Sequence, residues 1–584
     1  MIRTLLLCIL ITHGSALAIE PAPSERTGYV QTPDYAATLD YLKLLSKSSE
    51  WIHLDTFGTT PLGRPMVHVV VASDGAFEPE RAHSTGKLVV LIQNGIHSGE
   101  IDGKDACLEL VRDLAVTREK SALLEQVILV IVPVFNIDGH ELSSPYNRIN
   151  QNGPREMGFR ATSQNFNLNR DYMKVDAPEM RAWVTLWNHW DPDLLVDNHV
   201  TDGADFQYAV TYTVTRHHNS DRHVAAWGQE VFIPQVTKRM QELGEPIFPY
   251  VTTRGGSLRT GIVDWVEDPR FSTGYAGICN RPGLLVEMHM LKDYGRRVRA
   301  NYLFMVALLE LLNERPDDLK EAIRRADEAA EAGGDSLVAL DFTRTEDADT
   351  VEFLGFEYDS VKSEITGGTW IRYDPSRPVT MRVPYFGHMR PTVEVSRPWA
   401  YVIPPQWTDV IARLAVHGVE MQELDAQDLD VERYRLHNVR WEPRSFEGHH
   451  LVNCSATVER ATVHVERGSR LVSTQQKRSR LVLHALEPGA PDAFLRWGFF
   501  DTILEQKEYA DDYAAESLAT SMLAERPGLK QEYDSLVAAD TAFSSNPEAR
   551  RDFFYKRSPW AEPMFNVYPV LRISAPTTVK LLRP

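Results

Sequence analysis

Cysteine is scarce, four in 584 residues, which excludes a small disulfide-stapled scaffold. Beyond the N-terminus no run reaches the ~18 apolar residues of a membrane span, and no internal repeat stands out. Positive charge is short as well. Lys+Arg 62 against Asp+Glu 81 gives a net charge of −19, the wrong sign for gripping a phosphate backbone, so nucleic acid is excluded as a principal partner. What is present is ordinary globular composition, 43% hydrophobic and 24% charged, in a chain long enough for about two to four domains.

The first residues read as an address. Arg3 supplies one positive charge, residues 5–11 are apolar, and Ala16-Leu17-Ala18 has the small-x-small pattern of a cleavage site. Together they predict a secretory signal peptide over 1–18 and a mature protein that is secreted or periplasmic. Cys8 lies inside the apolar run, which argues against a lipid anchor; the remaining Cys107, Cys279 and Cys454 form neither a disulfide framework nor a zinc ribbon by spacing.

From 20 to about 334, short β-branched runs alternate with helical patterns, the signature of an α/β layer fold. Strands are expected over 66–72, 87–93, 127–134, 194–197 and 283–287, and helices over 102–114, 178–190, 225–243 and 297–313. A charged helix opened by Pro316 ends at Gly333-Gly334 and marks a boundary. Residues 335–485 read as a β-rich accessory domain with strands near 351–358, 378–383, 400–403 and 461–466. Residues 486–584 read as a helical C-terminal segment.

Three strands end in chemistry. The first runs into Gly95-Ile96-His97-Ser98-Gly99-Glu100, where the i, i+3 spacing puts an imidazole and a carboxylate on one side of a turn. Those donors suit zinc, and a catalytic zinc takes three protein ligands and leaves one position open. A lone His-x-x-Glu pair is common by chance. However, His199 ends a second apolar strand, at the edge where open α/β sheets bind ligands, and Glu287 ends a third among apolar neighbours, where burial raises a carboxyl toward general-base range. Asn169-Arg170 sets an amide beside a guanidinium, a pair that can fork onto a carboxylate.

His97, Glu100, Asn169-Arg170, His199 and Glu287, in that order, resemble the M14 zinc carboxypeptidases, the carboxypeptidase A-like family. Gly63-Arg64-Pro65 and the segment from Val132 to Gly139 support the likeness, which covers about residues 28–310. The resemblance implies a mixed eight-stranded sheet flanked by helices, one zinc per chain, and peptide or protein C-termini as substrate. It implies His97, Glu100 and His199 as zinc ligands, Glu287 as general base and Asn169 and Arg170 as the clamp on the terminal carboxylate. Arg160 matches the arginine that stabilises the oxyanion, with Arg148 and Arg155 as rivals in the same loop.

The sequence also departs from the family pattern. Gly99 stands in place of an arginine, so a substrate contact is expected to be lost, and Ile137 stands where proline is common. Asn167 occupies the position of an aspartate that orients the first zinc histidine, and an amide lends that ring less basicity. Tyr250 and Tyr275 are both candidates for the mobile tyrosine that caps the substrate. The residue reading the C-terminal side chain is expected near 261–265, where Val263 suggests an apolar pocket. No activation propeptide is recognisable. A zinc amidohydrolase acting on acylated amino acids or peptidoglycan stem peptides is an alternative, as is an inactive metal-binding module.

Overall fold

The computed structural model describes residues 20–582 except Asp202 and 217–219; the expected signal peptide lies outside the described residues. In chain order the first strands are β1 (Ile52–Thr59), β2 (Pro65–Val71), β3 (Leu88–Asn94), β4 (Val127–Val132), β5 (Leu194–Thr201), β6 (Val210–Val214), β7 (Ile247–Pro249), β8 (Thr252–Thr253), β9 (Ile262–Val263) and β10 (Gly283–His289). Eight of them form one sheet in the order β1-β2-β4-β3-β5-β10-β6-β7. Its central strands β4, β3, β5 and β10 are parallel, and β1, β2 and β6 enter antiparallel. This is the expected mixed α/β sheet.

Both faces of the sheet are covered, which is why β3 and β4 read as unbroken apolar runs. Alternate residues serve opposite cores. Val89 and Leu91 pack with Trp183 and Trp187 of the helix Pro178–Trp190 on one face; Leu88, Val90 and Ile92 pack with Leu108 and Phe304 on the other. Gly103 lets the helix Asp102–Val111 approach β5, since a Cβ there would lie 2.4 Å from that of Asn198. The helix expected over 225–243 is divided into Arg222–Ala226, a wider turn Trp227–Phe232, and Ile233–Glu242. Pro234 has no N–H to give to the preceding turn, so it cannot enforce regular α spacing there.

The later strands are β11 (Leu337–Arg344), β12 (Asp349–Lys362), β13 (Thr369–Phe386), β14 (Met389–Ser396), β15 (Ala400–Ile403), β16 (Gln422–Glu423), β17 (Gln427–Trp441), β18 (Val452–Val465), β19 (Arg470–Ser473) and β20 (Leu571–Ile573). They are interleaved with the rest of the chain. The hairpin β12–β13 joins β9 and β8 in one sheet, crossing the boundary expected at 334, and β20 lies inside the six-stranded sheet β16-β19-β15-β20-β17-β18, crossing the one expected at 485. The Trp183 core likewise runs on through Tyr401, Leu481, Phe494, Phe500 and Tyr568. The helices Asp512–Glu525, Pro527–Ala539 and Pro547–Tyr555 share a small core around Met522, Phe553 and Phe554.

Between β17 and β18 the chain makes a tight turn in which Phe446 and His449 exchange backbone hydrogen bonds of 2.7 and 3.0 Å. Glu447 at φ +48° and Gly448 at φ +85° occupy its centre. Such a pair belongs to a type I′ turn, which favours Asn, Asp or Gly at the first position. A larger residue held there costs about 1–2 kcal/mol.

Candidate metal centre and active site

The register of the central strands assembles the site. Asn94 of β3 pairs with Asn198 of β5, and Glu287 of β10 pairs with His199. His97 and Glu100 leave the end of β3 on a short turn closed by the Glu100 N–H on the His97 carbonyl, 2.8 Å. One donor atom each from His97, Glu100 and His199 falls within 4.8 Å of the others, and all three residues are buried.

Each imidazole is oriented from behind. His97 Nε2 donates to Asn167 Oδ1, 3.0 Å, which turns Nδ1 inward. That atom is buried, 3.1 Å from Glu100 Oε1, without a hydrogen bond in good geometry. His199 Nε2 faces Asp197 Oδ2 at 2.8 Å, and Nδ1 faces Glu100 Oε2 at 2.9 Å. Asp197 and His199 share a strand face because they are two residues apart. The sequence carried that signal, and it was missed. Ser272 Oγ donates to the same Asp197 oxygen, 2.6 Å.

Burial lowers the His97 ring to about 4, against the opposing pull of Glu100. Burial works against ionisation of Glu100 too, but His97 and Arg148 hold its carboxyl well below the usual range. Two inward ring nitrogens and one carboxylate, with a buried nitrogen left over, fit zinc in donor type and number.

These three residues open on a cavity of about 640 Å³ whose wall includes Arg148, Arg160, Asn169, Arg170, Tyr250 and Glu287. Arg148 Nη2 lies 2.7 Å from Glu100 Oε1 and Arg160 Nη1 lies 3.3 Å from it. Arg155 is elsewhere, on a separate cavity beside Asp34 and His140. Asn169 Oδ1 accepts from the Ser272 N–H at 3.3 Å. The Arg170 guanidinium carbon lies over the Phe271 ring, 4.3 Å from its centroid, with Nη1 donating to the Asn169 carbonyl at 2.6 Å.

Of the two tyrosines, Tyr275 is fully buried against Tyr172 and Trp187, its hydroxyl 3.0 Å from His417 Nδ1, and has no route to substrate. Tyr250 is on the cavity wall, edge-on to Trp265. Val263 pairs with Phe386 and is not on that wall. Trp265 and the buried Glu267 are, and sequence reasoning missed Glu267 because no spacing connects it to the ligands.

Residues 38–260 match the family model described as zinc carboxypeptidase. Carboxypeptidase 2 of Trichophyton rubrum is 24% identical over 482 residues, 78% of this chain and 82% of that protein. The Trichophyton equinum protein of the same name is 23% identical over the same coverage. Over residues 38–260 the chain is thus similar to the M14 zinc carboxypeptidases, and these matches mark it as an enzyme, a metallocarboxypeptidase. Among solved structures, a metallo-carboxypeptidase from Burkholderia cenocepacia is 17% identical over 48% of this chain and 69% of that one, with a TM-score of 0.36.

The family match takes in His97, Glu100, Asn169, Arg170 and His199. Glu287 lies past its end and joins the site through the pairing of β10 with β5. Cys107, Cys279 and Cys454 are free thiols. Among the described residues no helix is long and apolar enough to cross a membrane.

Proposed function

We propose that this metallocarboxypeptidase removes the last residue of peptides or proteins, with one zinc held by His97, Glu100 and His199. When bound, zinc supplies Lewis acidity, which brings a water toward neutral pKa and polarises a carbonyl. Glu287 takes the proton of the attacking water and later gives it to the leaving amine. Arg160, with Arg148 beside it, faces the negative charge that develops on the scissile oxygen. Asn169 and Arg170 hold the free carboxylate, so that only a chain end is presented.

The observation that carries this reading is the in-register pairing of Glu287 with His199 on adjacent parallel strands. It sets an acid not needed as a ligand beside the proposed ligand cluster, on the wall of a cavity that Arg170 also lines. The deciding experiment is hydrolysis of one peptide as free acid and as C-terminal amide, with and without a chelator. Chelator-sensitive cleavage of the acid in preference to the amide is the expected result; equal cleavage of both would overturn the proposal. Secretion by way of residues 1–18 is part of the same proposal, tested by N-terminal sequencing of the exported protein for a start at Ile19.

A further inference from the structure

We propose that Glu447 is a positioning residue of the zinc site, acting through Asn167 on His97; this rests on the reading of His97 as a zinc ligand. Asn167 is a junction of three polar links. Its Oδ1 accepts from His97 Nε2 at 3.0 Å and from the Asn169 N–H at 3.1 Å, while its own N–H donates to Glu447 Oε2 at 3.0 Å. The same small unit therefore aims the ring of a ligand and begins the segment that carries Asn169 and Arg170.

The two histidines are supported unequally. His199 has a carboxylate behind it, Asp197, which Ser272 braces. His97 has only an amide, a neutral acceptor with a donor at its other end, so its orientation decides whether it supports the ring at all. Asn167 is extended at φ −88° and ψ 102°, and a charge-assisted bond to its N–H pins that backbone. Glu447 supplies the bond from 280 residues further along the chain.

The turn bearing Glu447 is built to deliver it. Glutamate is a poor choice for a position at φ +48°, and its carboxylate goes to Asn167 rather than to the turn. The turn is fixed by Phe446 stacked on Trp497, 6.0 Å between centroids, and by His449 Nε2 at 2.7 Å from Asp176 Oδ2. Glu267 and Glu447 also favour the charged form of Arg170, against burial and the nearby Arg160.

The test measures zinc affinity of the full chain by competition with a chromophoric chelator, together with the thermal midpoint of the metal-free protein. Glu447→Ala is expected to weaken zinc binding about tenfold, the low end for loss of an outer partner. Glu447→Gln keeps an acceptor oxygen and is expected to lose only about threefold. In an Asn167→Ala background, either change should add less than about twofold, because the link is already cut. Wild-type affinity in both Glu447 variants overturns the proposal, as does an undiminished loss in the Asn167→Ala background. A fall in thermal midpoint with zinc affinity intact would show a purely structural contact and also overturn it. If Glu447→Ala does not fold, Glu447→Gln with and without Asn167→Ala decides. If the wild type takes up no zinc, the zinc reading itself fails, and this proposal with it.

Discussion

A Cβ built on Gly99 lies 2.5 Å from Arg148 Cγ and 2.8 Å from the Gly158 carbonyl oxygen. The missing side chain is therefore space that Arg148 uses to reach Glu100, with its own backbone at φ +55°. The sequence suggested that an arginine had been lost from this turn; the fold brings another one into its place from 49 positions along the chain.

Gly99→Ala should accordingly be costly although the exchange is small. The arginine stem can shift, but the Gly158 carbonyl is backbone and cannot move cheaply. A destabilisation of about 1–3 kcal/mol is expected, read from urea unfolding of the metal-free protein. Stability equal to wild type would show that Arg148 does not fill that space.

Removing ligands should remove metal. His97→Ala combined with His199→Ala is expected to abolish zinc uptake in metal analysis, and retained stoichiometric zinc would mean that the site is elsewhere. Glu287→Gln, by contrast, should keep zinc and fold while kcat falls by about 10²–10⁴, the contribution of a positioned general base. Near-normal turnover would reassign the base.

Arg170→Ala should erase most of the preference for a free C-terminus. Hydrogen bonds to charged groups contribute about 1.5–3 kcal/mol, which is about 10- to 150-fold in kcat/KM. The loss is expected with acid substrates and not with amides, and Arg170→Lys should recover only part, having charge without the fork. Equal losses on both substrates would make Arg170 structural.

Glu267 should make the cavity pH-sensitive. Burial raises its carboxyl to about 7; Trp265 Nε1, 2.7 Å away, and Arg170 lower it, while Asp268 and Asp264 add to the rise. As pH climbs through that value the wall gains negative charge, so KM for peptides ending in lysine should fall relative to those ending in leucine between pH 6 and 8. Glu267→Gln should flatten that ratio. The folded chain binds this proton more tightly than the unfolded one, so the group's contribution to stability is present below the ordinary carboxyl value and lost as pH rises through about 7. A ratio independent of pH in the wild type would place Glu267 out of reach of substrate.

The sequence by itself determined the sheet and the three candidate metal donors. Runs such as 127–134 are too short and too β-branched for helices, and the His97-x-x-Glu100 turn with His199 at a strand end offers donors that suit zinc, because each of these signals is local. Tertiary structure decided which rivals counted. Tyr275 was excluded by a core it helps to fill, Arg155 by a loop that carries it to another cavity, and Val263 by its pairing with β13. It also brought Glu267 and Glu447 to the site. Each of these lies on a loop or turn with no periodic pattern, and each is placed by contacts across many tens to hundreds of residues. Packing sets such contacts only after the chain has folded, so nothing in the neighbouring residues could announce them.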